Sequence, residues 1–297
     1  VSDIERFVNF LRVEKRFSKH TVTAYSTDIE QFSIYLIAQY QIKDLAECSH
    51  FIIRSWIVSL IEAEIDPRTV NRKVTTLRTF YRFLLKEGKI LRSPMLKVQA
   101  PKVAKKLPEY VDEPKMEQLL SSKKESETFE DFRNNLIIDF FYRTGVRLSE
   151  LIGVKIEDVN LHNLTITVLG KRNKIRQIPF TLNFKNEIKN YLILRAAFMQ
   201  EKEKNNQLFF VDNSGNQMYP KFVYRVVKNA ISSVSTGKKR SPHILRHSFA
   251  TAMLNHGADI NSIKEILGHS SLAATQVYTH NSIEKLKEVY KQAFPKA

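Results

Sequence analysis

Between Thr69 and Leu85, the apolar residues Val70, Val74, Leu77, Phe80, Tyr81 and Leu84 recur at steps of three and four. A helix of 3.6 residues per turn brings such positions onto one face, so this stretch is expected to be helical with one buried stripe. Arg68, Arg72, Thr75, Thr79, Arg82 and Lys86 recur at the same steps, out of phase with the apolar set, and so share a second face. Long cations and hydroxyls in one stripe are suitable donors to successive phosphates. A solvated helix face is the bland alternative, but no acid interrupts the stripe, which favours nucleic acid.

The charge of the whole chain agrees. Its 297 residues carry 47 Lys and Arg against 31 Asp and Glu, a formal charge of +16. The window from Arg68 to Lys106 holds twelve basic residues opposed only by Glu87, a local charge of +11. Two smaller basic clusters follow, Lys171 to Arg176 and Lys238-Lys239-Arg240. Such an excess suits a polyanion. With 43% apolar residues the chain has material for a core, unlike a disordered basic tail. Cys48 is its only cysteine, which excludes an internal disulfide and a multi-cysteine zinc site. No apolar run approaches the roughly 18–20 residues that span a bilayer. The opening Val1-Ser2-Asp3-Ile4-Glu5 lacks the character of a secretory leader. A cytoplasmic protein without membrane insertion is expected.

The first hundred residues read as helical. Ser18-Lys19-His20-Thr21 opens one helix, Phe51 to Ile61 forms another, and the basic helix follows Asp66-Pro67 and stops at Gly88. Pro101 and Pro108 bracket a basic, aperiodic stretch with the character of a linker. The expected division is residues 1–100, a linker at 101–109, and a second domain at 110–297. In the second part, Leu164 to Val168 alternates apolar and polar, Gly170-Lys171-Arg172-Asn173 breaks the pattern, and Ile175 to Pro179 returns: a hairpin with a basic tip. His243 to His256 reads as a helix closed by Gly257, and Ile260 to Leu267 as one closed by Gly268. Ser271 is a candidate cap for a short helix carrying Tyr278. The fold class is mainly α with a small sheet.

Four segments carry chemistry: Thr144-Gly145-Val146-Arg147-Leu148-Ser149-Glu150-Leu151, Gly170-Lys171, Pro242-His243-Ile244-Leu245-Arg246-His247, and Leu267-Gly268-His269 with Tyr278 nine residues later. Each alone is weak, since a lone arginine is more often an ion-pair partner and a lone histidine a satisfied polar group. In this order and spacing they resemble the tyrosine recombinase (phage-integrase) family, and within it the bacterial Xer recombinases. The most specific runs are Leu245-Arg246-His247-Ser248-Phe249-Ala250-Thr251, Gly268-His269-Ser270-Ser271 and Gln276-Val277-Tyr278-Thr279-His280. The resemblance covers nearly the whole chain. It implies a two-domain DNA clamp: an N-terminal SAM-like helical core-binding domain and a helical catalytic domain.

What the resemblance implies for the site is a catalytic set of Arg147, Lys171, His243, Arg246, His269 and Tyr278. Tyr278 would attack a DNA phosphodiester to give a 3′-phosphotyrosyl link. Two arginines, permanently charged planar forks, suit the non-bridging oxygens on which charge builds. A tyrosine hydroxyl with an ordinary pKa near ~10 needs a positive field and a proton acceptor, for which His243 is favoured. His269 would donate to the phosphate, and Lys171 would protonate the leaving 5′-oxygen. Lys171, directly after Gly170, is preferred to Lys174 for that role. Arg172 and Lys174 join Arg68, Arg72, Thr75, Thr79, Arg82 and Lys86 as expected DNA contacts. Glu150 is read as orienting an arginine or capping a helix, and His247 and His280 as structural or DNA-contacting. Neither metal nor cofactor is implied.

The resemblance further implies resolution of chromosome dimers through a Holliday junction. The expected partners are duplex DNA with a short inverted-repeat core site, a homo- or hetero-tetramer on two sites (with an Xer paralogue in the second case), and a septal DNA translocase. In the tail, 282–297, Ile283, Leu286 and Tyr290 share a helix face that either folds back on its own domain or docks on a neighbouring protomer; the family pattern favours docking in trans. The rival readings are a mobile-element integrase with the same chemistry, a type IB topoisomerase, and a non-catalytic DNA-binding accessory protein.

Overall fold

The computed structural model describes residues 2–102, 109–121, 128–170, 174–235, 237, 240–268 and 286–291. The chain divides into two compact units, Val1–Lys106 and Leu107–Ala297. The stretch 103–108 of the expected linker lies outside the described residues.

The first unit holds four helices: α1 (Asp3–Val13), α2 (Lys19–Tyr40), α3 (His50–Glu62) and α4 (Pro67–Lys86). Their starts follow capping chemistry. Ser2 accepts from the Glu5 amide while the Glu5 carboxylate receives the Ser2 amide, and Ser18 accepts from the Thr21 amide. Asp66 caps α4 with Pro67 in its first turn. Helix α1 precedes the helices expected from the sequence. Its Phe7, Phe10 and Leu11 are buried, with Phe7 set edge-on to Phe80 at 5.1 Å. Val70, Val74, Leu77, Phe80, Tyr81 and Leu84 of α4 are all fully buried, as the spacing predicts. Each large apolar side chain so placed contributes about 1.5–3 kcal/mol.

The basic stretch is less uniformly superficial than its composition suggests. Lys73, counted among the twelve cations, is only 5% exposed and donates to Asp28 Oδ1 at 3.0 Å. Arg72 also pairs with Asp28, and Thr76 donates to the same carboxylate at 2.9 Å. Asp28 itself is buried, and these partners satisfy its carboxylate inside the unit.

The second unit is built on α6 (Phe129–Thr144), which is buried on nearly every side from Leu136 to Tyr142. Around it lie α5 (Glu113–Ser121), α7 (Leu148–Gly153), α8 (Leu182–Glu201), α9 (Pro220–Ser232), α10 (Pro242–Asn255) and α11 (Ile260–Leu267). An antiparallel sheet runs in the order β1 (Val159–Asn160), β2 (Thr165–Leu169), β3 (Ile175–Pro179). The expected hairpin is β2–β3, with Ile166 opposite Ile178 and Val168 opposite Arg176. Helices α10 and α11 end where expected, at Gly257 (φ +81°) and Gly268 (φ +63°), in the left-handed region that glycine tolerates. Gly145 ends α6 in the same way, and a Cβ there would lie 2.5 Å from the Phe249 ring.

The described part of the tail, 286–291, is helical, and Leu286 and Tyr290 are buried in the core of the unit to which they belong. Tyr290 donates to the Arg143 carbonyl of α6 within that unit. The Ser271-capped helix, Ser282 and Ile283 lie outside the described residues. Among the described residues, no helix is long and apolar enough to cross a membrane.

Candidate active site

Three chain turns converge at the end of α11. Gly145 lets the chain leave α6 sharply and sets Arg147 at the N-cap of α7. Glu150, one turn into α7, receives the Arg147 backbone amide at 2.7 Å on one oxygen and Arg147 Nη1 at 2.7 Å on the other. It thus both caps the helix and orients the arginine. Arg246, on α10, is 6% exposed and donates to the Gly145 carbonyl and to the Leu267 carbonyl, the latter at 2.6 Å.

The last carbonyls of a helix lack intrahelical donors and carry the negative end of its dipole. Three arginines meet that need at three consecutive residues, the last two of α11 and its C-cap. Arg176 Nε donates to Ile266 O at 2.7 Å, Arg246 Nη2 to Leu267 O, and Arg147 Nη2 to Gly268 O at 2.8 Å. Close packing requires glycine nearby: a Cβ on Gly268 would stand 3.1 Å from Arg176 Cδ, and one on Gly170 3.3 Å from Arg176 Nη1.

Electrostatics follow from this crowding. Burial alone would raise the Glu150 carboxyl, but Arg176, then the amide and guanidinium of Arg147, outweigh it and bring the pKa down to about 2. Burial and the charges of Arg147 and Arg176 lower the proton affinity of Arg246, which still remains cationic near neutrality. His243, in the first turn of α10, is exposed and lies beside Arg147 in a groove of about 670 Å³ that also includes Tyr219 and Tyr224. His247 follows one turn later, its ring centroid 6.5 Å from that of His243. Burial, then His243 and Arg246, lower its pKa.

Of the expected catalytic set, the structure brings together Arg147, His243 and Arg246. Lys171, His269 and Tyr278 lie outside the described residues, while the residues just before the first two, Gly170 and Gly268, flank Arg176. Of the expected DNA contacts, Arg68, Thr75, Arg82 and Lys86 are exposed on α4, and Lys174 is exposed before β3. Arg72 and Thr79 are half-buried, and Lys86 is paired with Glu14 at 2.7 Å. Arg172 lies outside the described residues. No cluster of three or more His, Cys, Asp or Glu side chains suited to a metal occurs among the described residues.

Arg176, expected in the returning strand and counted in the basic cluster Lys171 to Arg176, is buried, only 3% exposed. The signal was available in the strand alternation. Arg176 is two positions from Ile178, so the two side chains point to the same, buried face of β3.

Residues 109–285 match the phage integrase family, and residues 4–88 match the phage integrase N-terminal SAM-like domain. The chain is 36% identical over 319 residues to the tyrosine recombinase XerC of Chlorobaculum parvum, covering 99% of this chain and 94% of that one. It is 35% identical over 295 residues to the tyrosine recombinase XerC of Pediococcus pentosaceus, covering 99% and 98%. In fold it is similar to the XerH site-specific recombinase solved in a post-cleavage complex with palindromic difH substrate. The TM-score is 0.72 at 23% identity, covering 98% of this chain and 84% of that chain. A helical module followed by a helical domain with clustered arginines is thus the architecture of a recombinase. The chain belongs to the phage integrase family, the tyrosine recombinases, enzymes of site-specific DNA recombination.

Proposed function

We propose that this chain cuts and rejoins duplex DNA at a short inverted-repeat site, with Tyr278 as nucleophile and a Holliday junction as intermediate. The observation that carries the reading is the pair Arg147 and Arg246, two guanidiniums braced side by side on the end of α11 next to the exposed His243. Braced cations aimed at one place stabilise a phosphoryl transition state without reorganising when charge develops. In the forward step the Tyr278 oxygen bonds to phosphorus and the bond to the 5′-oxygen breaks. The phenolic proton passes to His243 and Lys171 supplies a proton to the leaving 5′-oxygen, while His269 donates to a phosphate oxygen. A 5′-hydroxyl from a partner strand reverses each of these transfers, so the ester bond is conserved through exchange.

The exposed cations of α4, with Lys174, would hold the duplex, since lysine and arginine contacts to phosphate supply most sequence-independent affinity. The curated relatives named XerC and the fold shared with a DNA-bound XerH support an Xer-type role, resolution of chromosome dimers. In that role the enzyme works as a tetramer on two sites, with itself or a paralogue, under a septal DNA translocase.

The decisive experiment is covalent trapping. Tyr278→Phe should bind DNA as the parent does and form no protein–DNA adduct; a surviving adduct would remove Tyr278 as the nucleophile. Sequencing the DNA trapped on the parent protein in cells then separates chromosomal dimer sites from the ends of a mobile element.

A further inference from the structure

Arg176 has no part in the chemistry above, yet its side chain is almost wholly engaged. Both terminal nitrogens donate to Glu150, Nη1 to Oε1 and Nη2 to Oε2 at 2.8 Å each, and Nε donates to the Ile266 carbonyl at 2.7 Å. Glu150 in turn receives one side-chain bond and one backbone bond from Arg147. The carboxylate is therefore filled: its two oxygens accept four bonds, two from each arginine. Arg147 gives only Nη1 to Glu150 and Nη2 to Gly268 O, and its Nε has no hydrogen-bond partner among the described residues.

We infer that Arg176 is a positioning residue for the strand-transfer reaction: by filling the Glu150 carboxylate and pinning the last turn of α11, it keeps the guanidinium of Arg147 available to a phosphate. The inference rests on the reading of Arg147 as a phosphate ligand. The physical reason is competition between acceptors. A carboxylate and a guanidinium prefer a two-bond fork, and buried carboxylates take every donor within reach. With Arg176 occupying the fork, Arg147 meets Glu150 through a single nitrogen of its side chain. Without Arg176, Glu150 would be left with one cation, and the fork would close on Arg147. The Arg147 side chain would then be drawn toward Glu150, away from the groove that it lines with His243.

The second half of the device is mechanical. Ile266, Leu267 and Gly268 each give a carbonyl to a different arginine, and Arg176 holds the first of the three. Arg176 reaches this point from a strand 90 residues away in sequence, and so ties the hairpin to the helix end on which Arg147 and Arg246 rest. A lysine in its place could keep a positive charge beside Glu150 but could not fork the carboxylate and hold a carbonyl at once.

The test compares Arg176→Lys, Arg176→Met and Arg176→Met/Glu150→Gln on a duplex carrying the DNA site recovered by trapping. Two versions of the duplex are used, one with an ordinary scissile phosphodiester and one with a methylphosphonate, which has no charge for an arginine to neutralise. Arg176→Lys and Arg176→Met should form adduct about 100-fold more slowly on the phosphodiester, the scale of a displaced reacting group. Their affinity for uncleaved DNA should stay within about 3-fold of the parent, or under about 0.7 kcal/mol. The defect should shrink at least tenfold on the methylphosphonate. The double variant, whose neutral amide no longer competes for Arg147, should recover part of the lost rate, and it also carries the test if Arg176→Met does not fold. Parent-like rates in Arg176→Lys, or equal defects on both substrates, would overturn the inference. Arg147→Ala run alongside keeps the two readings apart: undiminished adduct formation in that variant would overturn the role given to Arg147 itself.

Discussion

Tyr290 donates its phenolic proton to the backbone carbonyl of Arg143 at 2.7 Å, joining residues 147 positions apart. The bond seats segment 286–291 on the helix that leads into Gly145 and Arg147. Arg143 is itself held by Asp139 at 2.7 Å, so the tail leans on a fixed part of α6. Burial pushes the Tyr290 hydroxyl well above the ordinary tyrosine range, which keeps it a proton donor at any physiological pH.

Tyr290→Ala should therefore destabilise the catalytic domain by about 3–5 kcal/mol, as loss of a fully buried aromatic does. Tyr290→Phe should cost about 1–2 kcal/mol, the range for a lost hydrogen bond that leaves a buried acceptor unpaired. Urea unfolding of the two variants checks this order. Equal, negligible effects would mean that the tail is not seated on its own domain in solution.

Glu150 makes stability depend on acid. Its pKa is lowered from 4.5 to about 2 in the folded chain, so it contributes stability that is fully present above the unfolded value and is lost as pH falls toward about 2. Glu150→Gln should be much less stable than the parent at pH 7, and the gap should narrow steadily below about pH 5. Denaturant midpoints across that range measure it, and a gap constant with pH would contradict the assigned ion pairs.

Charge on α4 separates into two kinds. Arg82 is exposed, whereas Lys73 is closed over by Asp28. Arg82→Ala should weaken DNA binding uniformly across sequences and reduce the slope of log affinity against log salt by about 1, leaving stability nearly unchanged. Lys73→Met should do the opposite, lowering stability by about 3–5 kcal/mol because Asp28 loses a buried partner, with the salt slope unchanged. Titrations at several salt concentrations beside thermal melts distinguish them. An altered slope in Lys73→Met would place that cation on the DNA.

Lys171→Ala addresses the proton given to the leaving group. With a 5′-bridging phosphorothiolate, whose sulfur leaves without protonation, the variant should recover much of the cleavage it loses on ordinary DNA. Single-turnover rates on both substrates decide the matter, and equal defects would assign the proton elsewhere.

Much of the architecture is legible before any coordinates, because helix and strand periods are local. Val70 to Leu84 announces a helix within a few turns, Gly257 and Gly268 mark where α10 and α11 stop, and the alternation of residues 164–168 and 175–179 pairs them as a hairpin. Arg147, His243 and Arg246 are legible as a set through their surrounding motifs, and the structure brings those three together. Helix α1 carries the same kind of signal in the spacing of its buried Phe7, Phe10 and Leu11.

By itself, then, the sequence determined which segments coil, where they end and which residue types are available for phosphate chemistry. Only the tertiary structure decided which charges face solvent and which are consumed inside. Lys73 and Arg176 look like their basic neighbours along the chain, yet each is buried against a partner 45 or 90 positions away. A side chain's burial and its acceptors are set by how distant elements pack, and no local period records that. The same reason explains the tail. Leu286 and Tyr290 are evident as apolar positions, but their place in the core and the bond from Tyr290 to the Arg143 carbonyl are set by packing between distant elements.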